Sequence, residues 1–166
     1  MEKYILSVLV ENHAGVLSKV AGLFSRRGFN IDSLAVGITN DPTISRITIE
    51  VTSDEITIEQ ISKQLNKLID VIKIKTLKND DAVKRELVLV KVKTSSKNRS
   101  EVVQIIDIFR ANIIDLSQTT VTAQITGGNS KIDAFVEMLE PFGIEEIVRT
   151  GMIALERGTS ILKADK

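Results

Sequence analysis

The chain has no cysteine and no tryptophan, and only one histidine, one tyrosine and two prolines among 166 residues. Without cysteine there is no disulfide framework, no thiolate nucleophile and no thiolate metal ligand, although the compartment stays open. Zinc and similar sites need three or four convergent ligands, so the lone His13 predicts a solvated loop residue and no metal centre. Neither charge sign is in excess, with 22 Lys plus Arg against 22 Asp plus Glu. That balance provides no net field to draw nucleic acid or an anionic membrane. No run approaches the ~18 apolar residues of a membrane span. The opening MEKYILSVLVEN has a short apolar run and lacks a small-residue cleavage site, unlike a signal peptide. GxSxG, P-loop and dinucleotide fingerprints are missing as well. The adjacent carboxylates Glu145 and Glu146 would point to opposite faces of a strand and read as a solvated edge. These absences predict a non-catalytic, cytoplasmic protein.

What the chain has is apolar content, 43% of its residues, enough for a packed core. Two halves of roughly 80 residues would each bury only about 60–65% of their unfolded surface and would gain from a partner. Tyr4–Val10 is almost continuously apolar, the pattern of a central strand covered on both faces. Val16, Val20, Leu23 and Phe24 share one helix face, and Gly28 stands where a left-handed cap belongs. Ile31–Thr39 reads as a strand, with Leu34, Val36 and Ile38 opposite a small face of Ser33, Ala35 and Gly37. After the turn at Asn40–Thr43 comes the alternating strand Ser45–Val51. A helix over Thr57–Ile69 follows, with Thr57 and Gln60 in a capping-box spacing. Val71–Leu77 is a fourth strand.

This order, β-α-β-β-α-β, is the ferredoxin-like arrangement. A polar stretch at 79–84 reads as a linker. The pattern then repeats: a strand at Arg85–Thr94, a helix at Ser100–Ala111 with Val102, Ile106 and Phe109 inward, a hairpin, a helix at Ser130–Phe142, and a closing strand within Ile144–Leu155. The expected fold is α+β, two tandem ferredoxin-like domains at 1–78 and 85–166. RNA binding would need aromatic stacking positions on the two middle strands. These strands provide Tyr4 at one end and Arg46, Thr48 and Glu50, so no stacking platform forms.

The stretch ENHAGVLSKVAGLFSRRGFNID, Glu11–Asp32, places an asparagine and a glycine at each end of one helix. The first amides after Gly15 lack intrahelical partners and carry the positive end of the helix dipole, a seat for a small carboxylate. Asn12 and Asn30 each offer an acceptor and two donors, matching the ammonium and carboxylate of a free amino acid. Val16, Leu17 and Ile31 could line a pocket for its side chain. Capping and turn roles explain each of these residues separately too. In a sheet of order 4-1-3-2, however, the strand opening at Ile31 is an edge whose small face invites a second copy. Two-fold pairing there would bring Asn30 of one copy toward the Asn12 loop of the other.

ILSVLVENHAGVLSKVAGLFSRRGFNIDSL and DPTISRITIEV, followed by LVLVKV, IIDIFRANIIDLS, KIDAFVEMLEPFGI and IVRTGMIALERG, resemble the small regulatory subunits of acetolactate synthase. The first half resembles their ACT domain, which dimerises edge to edge. The resemblance covers essentially the whole chain. It implies a subunit that is not itself the enzyme and has no cofactor of its own. It would activate a large catalytic subunit that uses thiamine diphosphate, Mg and FAD, and would confer feedback inhibition by a branched-chain amino acid, usually valine. The implied effector positions are Asn12, Gly15 and Asn30, with His13, Ala14, Val16, Leu17 and Ile31 beside them. The second repeat departs from this pattern: no glycine opens its first helix, and Ile113 takes the place of Asn30. It predicts contact with the catalytic subunit or the first domain instead of a like site. A free-standing amino-acid-binding ACT sensor and an RNA-binding or structural ferredoxin-like protein are the competing readings.

Overall fold

Strand β1 (Glu2–Glu11) is buried without interruption from Ile5 to Val10. The cause is cover on both faces. In the computed structural model, which describes residues 1–77 and 81–164, Leu6, Val8 and Val10 pack against the helices α1 (Val16–Arg27) and α2 (Glu55–Leu65). Ile5, on the opposite face, joins Leu77, Ala82, Met152 and Ala154. With β2 (Ser33–Ile38), β3 (Ile44–Ser53) and β4 (Val71–Leu77), the sheet runs β2-β3-β1-β4, all neighbours antiparallel. The expected order is observed, and β2 is an edge.

Both ends of α1 use glycine in the left-handed region. Gly15 has φ 89° at the N-cap, and Gly28 has φ 69° at the C-cap, where its amide donates to the carbonyls of Phe24 and Ser25. Side chains other than glycine reach this region only at a cost. The expected Thr57–Gln60 capping box is not what starts α2. Asp54 is the cap: its carboxylate accepts from the Thr57 amide at 2.8 Å, and a bond from the Thr57 hydroxyl adds to it. The amide bond, first, and the hydroxyl hold the Asp54 carboxyl below the ordinary carboxylate range. The helix stops at Leu65 instead of reaching Ile69, which is exposed.

The chain divides into two compact units, Met1–Val83 with Met152–Lys166, and Lys84–Gly151. Part of the expected linker at 79–84 lies outside the described residues. Its end does not stay a linker, because β5 begins at Ala82 and runs to Lys93. The second unit contains α3 (Arg99–Ile108), β6 (Asn112–Leu116), β7 (Thr120–Gly127), α4 (Asn129–Leu139) and β8 (Ile144–Arg149), in sheet order β6-β7-β5-β8. Val88, Val90, Val92, Val121, Ala123 and Ile125 face Val102, Ile106, Ile132, Phe135 and Leu139 in its core. Phe109, expected inward, is half-buried against Phe135, ring centroids 5.4 Å apart.

The closing strand expected within Ile144–Leu155 is two strands. Gly151, at φ 83°, separates β8 from β9 (Ile153–Glu156). Met152 and Ala154 are buried against the first sheet, the Met152 amide donates to Ser33 Oγ at 2.7 Å, and Lys75 pairs with Glu156. Residues 152–164 therefore group with the first unit and not with 85–151. None of the described helices is long and apolar enough to cross a membrane.

Candidate functional site

The loop that leads from β1 into α1 is held from two sides. The Asn12 amide donates to the Thr43 carbonyl at 2.8 Å, and Asn12 Nδ2 donates to the Pro42 carbonyl at 2.8 Å. These bonds seat the loop against the β2–β3 turn. They leave the Asn12 side-chain oxygen without a partner among the described residues.

On the other side stands Asp70, in the turn before β4 and buried to 7% side-chain exposure. It receives His13 Nε2 at 2.8 Å and Lys19 Nζ at 2.6 Å. His13 Nδ1 faces the Ala14 carbonyl at 3.0 Å. With acceptors on both ring nitrogens, the doubly protonated imidazolium is the form that satisfies both contacts. The Ala14 carbonyl is the largest influence raising the His13 pKa; partial burial opposes it, and Asp70 and Glu11 add to it. The Lys19 hydrogen bond, first, and His13 hold the Asp70 carboxyl below its ordinary range. His13 is thus an ion-paired anchor, not the solvated loop residue expected.

Sequence spacing had suggested no metal-ligating cluster. The fold nevertheless brings ligand atoms of Glu11, His13 and Asp70 within 4.8 Å of one another. Both Asp70 oxygens already receive donors, so the group is built as an ion-pair network. Asp70 and Lys19 were missed by the sequence reading. Asp70 lies 57 positions from His13, and nothing in local spacing connects them.

Gly15 makes no side-chain cap, and the first turn of α1 contains no acidic residue. The amides of Gly15, Val16, Leu17 and Ser18 have no hydrogen-bond partner among the described residues. A Cβ built on Gly15 would meet nothing within 4 Å. The result is an open, electropositive helix end. Leu17 is 44% exposed beside it. The Val16 side chain is in the core with Val20, Leu23 and Phe24, as its helix face predicts, and so does not line a pocket at this end.

Asn30 and Ile31 lie at the far end of α1. The helix has 12 residues, about 18 Å at 1.5 Å per residue. Asn30 Nδ2 donates to Asp32 Oδ1 at 2.9 Å, leaving its own oxygen unpartnered among the described residues. Ile31 packs partly against the core. Within one chain, then, Asn12–Leu17 lie together at the N-terminal end of α1, and Asn30 and Ile31 lie at its other end.

The second unit presents a different helix start. Before α3, Ser95 N donates to Asn98 Oδ1, Arg99 N to the Ser95 carbonyl, and Glu101 N to the Asn98 carbonyl. Glu101 also places a carboxylate in the first turn. These amides are engaged.

A family model described as the small subunit of acetolactate synthase matches residues 85–158, and one described as the AHAS small subunit-like ACT domain matches residues 6–73. The acetolactate synthase small subunit of Mycobacterium bovis is 52% identical over 155 residues, 93% of this chain and 92% of that relative. A probable acetolactate synthase small subunit of Methanothermobacter thermautotrophicus is 51% identical over 159 residues, 95% of each. The crystal structure of the acetolactate synthase small subunit from Thermotoga maritima superposes with a TM-score of 0.90 at 42% identity, covering 96% of this chain and all of that one.

Proposed function

The chain belongs to the acetolactate synthase small-subunit family, a regulatory role, and from that membership we propose that it activates a large catalytic subunit and transmits feedback inhibition by a branched-chain amino acid, valine first. The chemistry, with thiamine diphosphate, Mg and FAD, is assigned to the large subunit. This chain is assigned no cofactor and a cytoplasmic setting.

The observation that carries the reading is the bare amide end of α1 at Gly15, next to the unpartnered oxygen of Asn12. A carboxylate suits the amides and an ammonium suits the oxygen. The other half of the site comes from a second copy. β2 is an edge strand, and antiparallel pairing of β2 with its twin sets the start of one strand beside the end of the other. Asn30 and Ile31 precede that start, and the β2–β3 turn that seats Asn12 follows that end. A homodimer therefore closes a site that one chain leaves open. Val36 and Ile38, both exposed on this edge strand, provide apolar surface for the contact.

Calorimetry with valine tests the site. Asn30→Ala should lose roughly 1.5–3 kcal/mol of binding, about 10- to 150-fold in affinity, while staying dimeric. Native affinity in that variant would remove Asn30 from the site.

A further inference from the structure

Arg46 sits on β3 on the sheet face opposite the two helices, paired across β1 with Leu9 and across β2 with Gly37. Its guanidinium is about half buried, and that burial lowers its pKa from the ordinary value. Nε donates to Ser7 Oγ at 2.7 Å and Nη2 to the Ala154 carbonyl at 3.3 Å. No carboxylate lies within ion-pair distance among the described residues, and Nη1 has no partner there. A desolvated cation with neutral acceptors alone is costly and is ordinarily matched by an anion.

The same arginine lines an open cleft of about 490 Å³ between the β2–β3 turn and residues 162–164, all within the first unit. Lys163 reaches this cleft and has no acidic partner among the described residues. Asn40 adds a side-chain amide without a partner among the described residues, and Leu9 and Ile44 form apolar wall. Among the described residues of the lining Asp41 is the one carboxylate, and its Oδ1 accepts from the amide and hydroxyl of Thr43. Gly37, beside Arg46, leaves open space where a side chain would stand.

We propose that this cleft is a second ligand site, distinct from the α1 helix end, which binds the oxyanion group of a small organic acid or phosphate ester between Arg46 and Lys163. The free Nη1 and the second Nη2 hydrogen give the planar fork that carboxylates and phosphates accept. Lys163 provides the second charge, and the Asn40 amide a neutral donor. The apolar wall accommodates the carbon skeleton next to the anion.

Inorganic phosphate and acetate are the two probes, titrated into the full chain at ionic strength held constant with sodium chloride. The readout is the backbone amide resonances of Asn40 and Ile44 together with the melting temperature. The expected result is a saturable response to at least one probe. It should weaken about 10-fold or more in Lys163→Gln, as the loss of a charge-assisted bond requires, and vanish in Arg46→Gln. Saturation by phosphate alone identifies a phosphate group, and saturation by acetate alone identifies a carboxylate. Arg46 also holds Ser7 and Ala154, so its variant is open to a folding defect. Lys163 holds nothing in the described structure, and its variant decides the matter. No response beyond that of sodium chloride, or an unchanged affinity in Lys163→Gln, overturns the proposal.

Discussion

One substitution separates the cap role of Gly15 from the effector role proposed for it. Its φ of 89° makes any other residue costly there, by roughly 1–2 kcal/mol. A glutamate would recover about 0.3–1 kcal/mol from the helix dipole, and a Cβ meets no neighbour within 4 Å. Gly15→Glu should therefore fold with a modest loss of stability. It should still activate the catalytic subunit, yet ignore valine, because its carboxylate would occupy the amides that the effector needs. Normal inhibition in activity assays of that variant would place the effector elsewhere. His13 supports the same loop through protonation. Its folded pKa is raised, so its contribution is complete below the unfolded value of about 6.5 and fades as pH climbs through the folded value. The Asp70 contribution runs the other way and is lost only in acid, as pH falls through its lowered pKa. Comparing melting curves of the native chain and His13→Gln, the native advantage should be largest near pH 5.5 and shrink toward pH 8.5. An advantage that does not change with pH would rule out the imidazolium anchor.

Among the elements, β9 has an effect out of proportion to its length. Four residues long, it buries Ala154, and the adjoining Met152 is buried with it, on the face of the first sheet that the helices do not cover. Met152→Ala should cost about 2–5 kcal/mol in denaturant unfolding, the usual range for a large-to-small core change. A loss below 0.5 kcal/mol would mean that this face does not depend on the segment. The β2 edge is the other element with a consequence. Its small residues Ser33, Ala35 and Gly37 and the exposed Val36 and Ile38 suit a twin strand. Sedimentation equilibrium should give a dimer at micromolar concentration, and a stable monomer would leave the effector site half built.

The molecule as a whole divides its work between two units of one fold. The first has a helix end with bare amides, and the second has a helix start whose amides are engaged around Ser95, Asn98 and Glu101. Duplicated topology does not carry duplicated helix starts, because these depend on a few loop residues and not on the sheet. Supplied with pyruvate, the chain alone should form no acetolactate. Added in saturating amount to its catalytic subunit, it should raise turnover. An unchanged rate would count against the activating role.

The sequence alone determined the two βαββαβ repeats, the order of the first sheet, the left-handed glycine cap at Gly28, and the Asn12–Gly15 helix entry. The repeats, the cap and the helix entry rest on periodicity and capping within a few residues of each other, which local chemistry dictates, and the sheet order follows from the ferredoxin-like element order. The tertiary structure decided the rest. It placed Asp70 and Lys19 against His13, replaced the expected α2 cap with Asp54, gave Gly15 its left-handed backbone, and carried the chain from Met152 onward back to the first unit. The continuous apolar run of β1 had announced that both faces would be covered, but not by what. Contacts between residues far apart in the chain are set by packing and by the pairing of buried charges, and no local spacing records them.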